Sequence, residues 1–435
     1  MTRTMKDSGI EWIGEIPEDW SISKVKHCFT RKNSKAKQDD PVVLSLARSG
    51  VKIRDISTNE GQLAESYYDY NPVQVGDLLL NPMDLYSGAN CSYSDVEGVI
   101  SPAYINLKNK EGVSNSKFYD YYFKVQYWMM VLFSFGKGVS FDNRWTLGQE
   151  TLMNFPIVYP LLSEQQKIAD FLDEKCSHID SILEKTKASI DECKQLKQSV
   201  ITQAVTKGIK PNRPMKDSGI EWIGEIPEDW DISKVKREFS YGSGLPITKE
   251  NLIENGVPVI SYGQIHAKFN TGVKLDEKLY RYVSEDYLET NSNSLANKYD
   301  FIFADTSEDL EGCGNCAYIS EQMTLFAGYH TIILHSKKAQ DNRYIAYLFK
   351  SPMWRNQITS RVTGIKVFSI SKKILNACTL LIPSFAEQIE IANYLDLKCS
   401  EIDKLITKKE QLIKELETYK KSLIYEYVTG KKEVI

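Results

Sequence analysis

MKDSGIEWIGEIPEDWSISKVK, residues 5–26, recurs as MKDSGIEWIGEIPEDWDISKVK at 215–236, with Ser21 against Asp231 the one mismatch in 22 positions. Self-similarity of this order defines the independent unit before any local signal is read, and here that unit is about half the chain. The repetition extends to the segments that close each half. A shift of 223 positions lays EQQKIADFLDEKCSHID (164–180) on EQIEIANYLDLKCSEID (387–403), and Val205-Thr206 on Val428-Thr429. Between these matched ends the halves diverge. Thin echoes survive: Asn90-Cys91-x-Tyr93 answers Asn315-Cys316-x-Tyr318, and Gly138 answers Gly364. The order is variable, constant, variable, constant.

A chain of 435 residues accommodates two globular units plus connectors. Its 42% hydrophobic and 26% charged residues fit a folded protein rather than a disordered or fibrous one. MTRTMKDSGIEW lacks the apolar stretch of a secretory signal, and the most apolar window, Tyr127 to Phe135, is too short for a bilayer. The expectation is a cytoplasmic protein without a membrane segment. Eight scattered cysteines are expected to stay reduced. Cys313-Gly-Asn-Cys316 has no second pair to complete a tetrahedral zinc site, so a structural role is expected. A net charge of −4 excludes wholesale coating of a polyanion, but phosphate binding depends on local clusters.

Ser163-x-x-Gln166, downstream of Pro160, reads as a capping box opening a long helix that meets no Pro or Gly until Gly208. Steps of four and three pick out Ile168, Leu172, Lys175, Ile179, Ile182, Thr186, Ser189, Cys193, Leu196 and Val200. In the second half they pick out Ile391, Leu395, Lys398, Ile402, Leu405, Lys409, Leu412, Leu416, Tyr419 and Leu423. Both are heptad seams sustained long enough to predict coiled coil. About 40 residues make a rod of roughly 60 Å, too long to bury its stripe against one compact domain. The natural partner is the other rod, antiparallel if a pseudo-twofold axis relates the halves. Lys175 and Lys398 occupy matching seam positions, either as register-setting polar residues or as side chains reaching out to solvent.

Residues 27–160 and 237–383 mix short β-rich runs (42–45, 77–80, 257–261, 331–334) with Gly, Asn and Pro, as in small α+β domains with long loops. Helices are expected near Lys117–Phe133 and Asn342–Ile358, each followed by a glycine loop and a strand. Residues 21–54 carry nine Lys/Arg against Asp39 and Asp40, and residues 354–374 carry Arg355, Arg361, Lys366, Lys372 and Lys373 with no acid. One such run is usually a solvated face; one in each repeated domain favours nucleic-acid binding. The candidate contacts are Lys35, Lys37, Arg48, Lys52, Arg54, Lys137 and Arg144 in the first domain. In the second they are Gln264, His266, Lys268, Arg361, Lys366, Lys372 and Lys373. Arg48, Gln264 and His266 are the candidates for base edges. The near-identical blocks are too apolar for a free linker, with Trp12, Ile13, Ile16, Pro17 and Trp20 answered by Trp222, Ile223, Ile226, Pro227 and Trp230. They are expected to join each domain to the helices.

Catalytic signatures are missing. Asn81-Pro82-Met83-Asp84 is only faintly like an amino-methyltransferase signature and reads as a proline turn. There is no phosphate loop and no dinucleotide fingerprint, and His27, His178, His266, His330 and His335 form no metal or nucleophile pattern.

Two variable domains, each followed by a long helix, with Pro160-x-x-Ser-Glu-Gln-Gln-Lys-Ile-Ala-x-Phe-Leu172 opening the first helix and an Ile-Pro-Glu-Asp-Trp block opening the second domain, resemble the DNA specificity subunit of type I restriction-modification systems. The resemblance covers nearly the whole chain. The second copy departs mildly, with Ile389-Glu390 for Gln166-Lys167 and Ala386 for Ser163, which leaves open only how that helix is capped. It implies an α+β fold of two globular target recognition domains (1–160 and 211–383) joined by two helical spacers (161–210 and 384–435) in an antiparallel coiled coil. It further implies that each domain reads half of a bipartite double-stranded DNA site. Methyltransferase and restriction subunits would dock on the chain and supply the catalysis, with S-adenosylmethionine, ATP and magnesium held there and no cofactor here. Two other classes stay open: an autonomous DNA methyltransferase, which would bind S-adenosylmethionine alone, and a coiled-coil scaffold without sequence preference.

Overall fold

The computed structural model describes residues 3–57, 64–83, 85–87, 91–138, 145–221, 223–364 and 366–434; Asp84, Asn90, Arg144 and Trp222, named above, lie outside them. The fold is α+β, with two repeated domains and two long helices, Leu162–Lys207 and Phe385–Val428. Packing divides the chain into two compact units, residues 1–187 with 411–435 and residues 188–410. The division falls inside both helices. Each unit thus holds one variable domain, the start of one long helix and the end of the other.

The two domains share a four-stranded antiparallel sheet in the same strand order. In the first unit it runs Phe29–Arg31, Ile105–Asn109, Leu78–Leu80, Cys91–Tyr93. In the second it runs Phe239–Ser243, Thr331–Ser336, Phe301–Ala304, Cys316–Tyr318. A helix covers each sheet, Ser116–Trp128 or Asn342–Lys350, burying Phe118, Tyr122 and Phe123 or Tyr344, Leu348 and Phe349. Each expected helix is broken once: Met130 takes a left-handed φ of 58°, and Ser351-Pro352 starts a new helix that runs to Thr359. The domains diverge beyond this sheet. The second adds a sheet of four short strands around the parallel pair Val257–Ile260 and Leu325–Ala327.

The 22-residue blocks form the same strand pairs and dock on the helix starts. Met5–Asp7 pairs with Glu15–Pro17, and Met215–Asp217 with Glu225–Pro227. Ser21–Lys24 pairs with Pro156–Tyr159, and Asp231–Lys234 with Thr379–Ile382. Ile16, Trp20, Ile226 and Trp230 are buried, whereas mismatched Ser21 and Asp231 are exposed, where either residue is tolerated.

Polar ties repeat at each helix start. Trp20 Nε1 donates to Glu164 at 2.8 Å and Trp230 Nε1 to Glu387 at 3.1 Å. Arg3 bridges Glu164 and Asp19, and Arg213 bridges Glu387 and Asp229. Gln165 accepts from Asn115 N and donates to the Pro160 carbonyl; Gln388 accepts from Asp341 N and donates to the Pro383 carbonyl, all at 2.9 Å. Asp173 takes Lys117 and Tyr121, and Asp396 takes Arg343 and Tyr347. Burial lifts both phenols above their usual range, so each stays a donor.

The capping expectation is corrected. The first helix begins at Leu162, placing Ser163 inside it, and in the second Ser384 Oγ accepts from Glu387 N at 3.3 Å. Within each unit the helices pair antiparallel, through Asp180 with Lys420 in the first and Lys197 with Asp403 in the second, pairs that a 223-residue shift interchanges.

The seam also needs correction in phase. The inward positions are Ile168, Leu172, Cys176, Ile179, Leu183, Thr186, Ile190, Cys193, Lys197 and Ile201, and the same positions shifted by 223. Of the expected residues, Ile168, Leu172, Ile179, Thr186, Cys193, Ile391, Leu395 and Leu423 are buried, and Ile182, Val200, Ile402 and Leu416 half-buried. Leu196, Leu405 and Leu412 are exposed at 55%, 46% and 41%, and Ile406 and Ile413 turn inward instead. Nine steps span 33 residues, about 3.67 per step, so the stripe follows a nearly relaxed helix rather than the 3.5 of a strict heptad. Lys175 and Lys398 reach solvent, pairing with Glu174 and Glu401, and the buried neighbours are Cys176 and Cys399.

Two outcomes are expected in urea unfolding followed by tryptophan fluorescence. Glu387→Ala leaves the buried Trp230 N–H without its acceptor and Arg213 with Asp229 as its one carboxylate, and destabilises the second unit by about 1–3 kcal/mol; a loss under about 0.5 kcal/mol, the scale of an ordinary surface change, removes this tie from the fold's essentials. Ile424→Ala costs about 2–4 kcal/mol, whereas Leu405→Gln and Leu412→Gln each cost under about 0.5 kcal/mol. The reverse ranking restores the strict heptad.

Candidate nucleic-acid interface

In the first domain Arg48, Lys52 and Arg54 share one hairpin, Leu44–Ala47 with Gly50–Ile53. Leu44 and Leu46 pack with Val73, Leu79 and Ile100, which fixes the inward face by strand alternation. Arg48 at the turn and Lys52 are exposed, and Arg54 is half-buried. Lys35 Nζ donates to the Asp69 carbonyl at 2.9 Å, and Lys37 N to the Tyr68 carbonyl at 3.0 Å, so both lysines ride on a segment tied to residues 68–70. Lys137 is exposed, and its backbone exchanges hydrogen bonds with Thr146.

In the second domain Gln264 Oε1 accepts from Ser261 N at 3.2 Å, closing a capping box on the short helix Tyr262–Ile265. His266 Nε2 lies 2.8 Å from the Thr306 carbonyl, an acceptor only, so Nε2 carries the proton. Its Nδ1 accepts from Asn315 Nδ2 at 3.3 Å. Both ring nitrogens are therefore engaged inside the domain. Strand Thr306–Ser307 also pairs with Phe368–Ser369, bringing the histidine turn beside the segment that carries Lys366, Lys372 and Lys373. Lys366 and Lys373 are exposed; Lys372 donates to Ser243 Oγ at 3.2 Å and lies over Tyr241. Arg361 donates to the Gln357 carbonyl at the end of the helix Pro352–Thr359.

A cavity of about 630 Å³ joins His266 and Lys268 to Arg355 of the basic run and to two residues outside the sequence candidates, Asn315 and Lys350, with Glu308, Asp309 and Glu311 also lining it. Arg355 donates to Asn315 Oδ1 at 2.6 Å and to the Glu311 carbonyl. The missed signal is a comparison of the repeats: Lys124 and Lys350 fall at matching helix positions, but Asp120 is answered by Ala346.

Exposed ammonium groups on loops and a hairpin suit phosphate contacts, which position a protein on nucleic acid without reading sequence. Among the described residues no group of three or more His, Cys, Asp or Glu can hold a metal ion. Burial pushes the Cys316 thiol up to about 12 and that of Cys378 up to about 11, away from the reactive thiolate. Asn81 Oδ1 accepts from Met83 N at 2.9 Å, a side-chain-closed turn within the Asn81-Pro82-Met83 stretch. No helix among the described residues is long and apolar enough to cross a membrane.

The family described as Type I restriction modification DNA specificity domain matches residues 85–192 and 227–418. The type I restriction enzyme MjaVIII specificity subunit of Methanocaldococcus jannaschii is 24% identical over 420 residues, 92% of this chain and 90% of that one. The EcoKI specificity subunit of Escherichia coli K12 is 24% identical over 194 residues, 43% of this chain and 40% of that one. Among solved structures, a chain from work on complex assembly and conformational transition of the type I R-M system superposes with a TM-score of 0.71 at 13% identity, covering 96% of this chain and 99% of that one. The HsdS subunit from Thermoanaerobacter tengcongensis gives 0.54 at 12% identity, covering 96% and 98%.

Proposed function

Because the chain belongs to the family of type I restriction modification DNA specificity domains, we propose that its two domains each read one half of a bipartite double-stranded DNA site. The paired helices set the spacing between the halves. Methyltransferase and restriction subunits dock on the chain and perform the chemistry, holding S-adenosylmethionine, ATP and magnesium, while this chain contributes recognition and no catalytic group. It acts where the DNA is, in the cytoplasm. The observation that carries the reading is the pairing of duplicated anchors with unlike loops: Glu164, Gln165 and Asp173 repeat as Glu387, Gln388 and Asp396, while the basic surfaces differ. A frame held constant under two divergent faces is what a two-part reader requires. Exposed Leu196, Leu397, Leu405, Leu412 and Tyr419 give the helices apolar surface for protein partners.

Methylation mapping of genomic DNA from cells carrying the chain with its partners is expected to return one bipartite motif. The purified chain alone is expected to transfer no methyl group; transfer by the chain alone would show it to be an autonomous enzyme. For the basic surface, Lys366→Ala combined with Lys373→Ala should weaken binding to all duplexes alike. It should also flatten the dependence of log affinity on log salt by about 1.8. A folded double variant with unchanged affinity and slope returns this patch to plain solvation. For the spacing, seven residues inserted after Ser189 and seven after Leu412 lengthen both rods by about 10 Å. The unspecified gap in the methylated motif should widen while both half-sites persist. An unchanged gap in an active double insertion takes the helices out of the spacing role.

A further inference from the structure

Burying a cation without a counter-ion is costly, and a protein that does so normally provides the anion itself. The first domain follows this rule. Lys124, on the helix Ser116–Trp128, meets Asp120 one turn earlier at 2.6 Å, with Cys91 Sγ 3.6 Å from the same carboxylate. Burial alone would lower the Lys124 ammonium, but Asp120 holds it above its usual range.

The second domain keeps the lysine and drops the acid. Lys350 occupies the matching place on Asn342–Lys350, Cys316 answers Cys91, and the residue one turn before Lys350 is Ala346. Among the described residues the Lys350 ammonium has neither a hydrogen-bond nor an ion-pair partner. Burial, and then the charge of Arg355, depress it. Among the described residues Arg355 makes no salt bridge either: it donates to the Glu311 carbonyl and to Asn315 Oδ1, and burial lowers it although Glu311 and Asp309 act in the opposite sense. Gly272, at φ +72°, lets the lysine lie close: a Cβ there would come within 3.0 Å of Lys350 Cδ. Both cations line the 630 Å³ cavity, whose lining also includes exposed Glu308, Asp309 and Glu311.

We infer that this cavity is a phosphate site particular to the second domain, in which Lys350 and Arg355 take a singly charged phosphodiester of duplex DNA. The inference rests on the DNA-reading role of the domain and adds a phosphate site whose lysine stands outside the basic run that includes Arg355. The carboxylates in the lining favour a diester over free phosphate, which carries up to two charges near neutral pH and is repelled more strongly. Asn315 ties Arg355 to His266, so the bound phosphate fixes the position of the histidine turn on the duplex.

The test uses the full chain and non-specific duplex DNA over a salt series. Lys350→Met, which preserves the apolar stem, should lower affinity about eightfold at 0.1 M salt and flatten the salt slope by about 0.9, the share of a single phosphate. Ala346→Asp restores the counter-ion seen in the first domain and should weaken binding to the same extent without removing a cation, whereas Lys350→Arg should retain most of the affinity. Thermal melting identifies the folded variants to compare, and Arg355→Gln substitutes for any that fails to fold. Unchanged affinity and slope in folded Lys350→Met and Ala346→Asp overturn the inference. If DNA binding is unchanged but inorganic phosphate, at matched ionic strength, raises the melting temperature of the wild type and not of Lys350→Met, the site takes free phosphate and the DNA assignment is wrong. Failure of the wild-type chain to bind duplex DNA at all defeats the recognition role itself, a separate result.

Discussion

Each half of the molecule depends on one carboxylate in the first turn of a long helix. Glu164 and Glu387 accept a guanidinium and an indole N–H at once, and Glu387 does so almost fully buried, with its side chain 3% exposed. A carboxylate so placed is stable only if its lone pairs are filled, and the helix N-terminus adds a favourable dipole. The partners come from the 22-residue block and the arginine just before it, so satisfying the charge fixes the block against the helix end. The tryptophan that donates is also the centre of apolar packing, with Trp20 against Phe118 and Trp230 against Tyr344. Polar direction and apolar burial are met by the same side chain, in both copies of the block.

Constancy at the anchor releases the rest of each domain. The four-stranded sheet keeps its order in both, yet the first domain elaborates it with the hairpin at residues 44–53 and the second with an additional sheet. Among the described residues, the hydrogen-bond and ion-pair partners of Glu164, Gln165 and Asp173 all lie off the hairpin, and those of Glu387, Gln388 and Asp396 off the segment around Phe368–Ser369. Surface loops can therefore diverge without disturbing how the domain is held. The fate of one lysine illustrates the freedom: Lys124 is neutralised by Asp120, while Lys350 faces a cavity with only Ala346 in the matching place.

The repeat, the domain class and both long helices were legible because they rest on identity and on an absence of helix breakers over more than 40 residues. The phase of the helical stripe was not. Leu405-Ile406, Leu412-Ile413 and Leu423-Ile424 offer two adjacent apolar stripes, and counting in strict heptads selects the wrong one when the true repeat is closer to 3.6 than to 3.5. The cap at Ser384 was hidden by aligning Ala386 with Ser163, two positions that cap neither helix. Among the candidate contacts, positive charge was readable and geometry was not. Gln264 and His266 have the right chemistry for base edges, but their side chains are engaged by Ser261, Thr306 and Asn315, contacts that only the folded chain reveals. Lys350 was passed over because it stands outside any basic run.

The pairing of the helices raises a last question, which is what selects their register. The inward stripe of the first helix includes Cys176, Thr186, Cys193 and Lys197, side chains that pack only modestly. Between the ends, where Ile424 packs with the first core and Ile391 and Leu395 with the second, this middle stretch by itself discriminates little between neighbouring registers. The ion pairs Asp180 with Lys420 and Lys197 with Asp403 are half-exposed, and pairs of that kind contribute about 0–1 kcal/mol each. They are too weak to drive association. Their effect is on the alternatives: a slip separates both pairs together, because the same residues recur at a fixed shift of 223, and leaves two lysines at inward positions without a carboxylate. Small terms that act in unison on every competing register add to the discrimination that the buried helix ends impose, and they act where the stripe is least apolar.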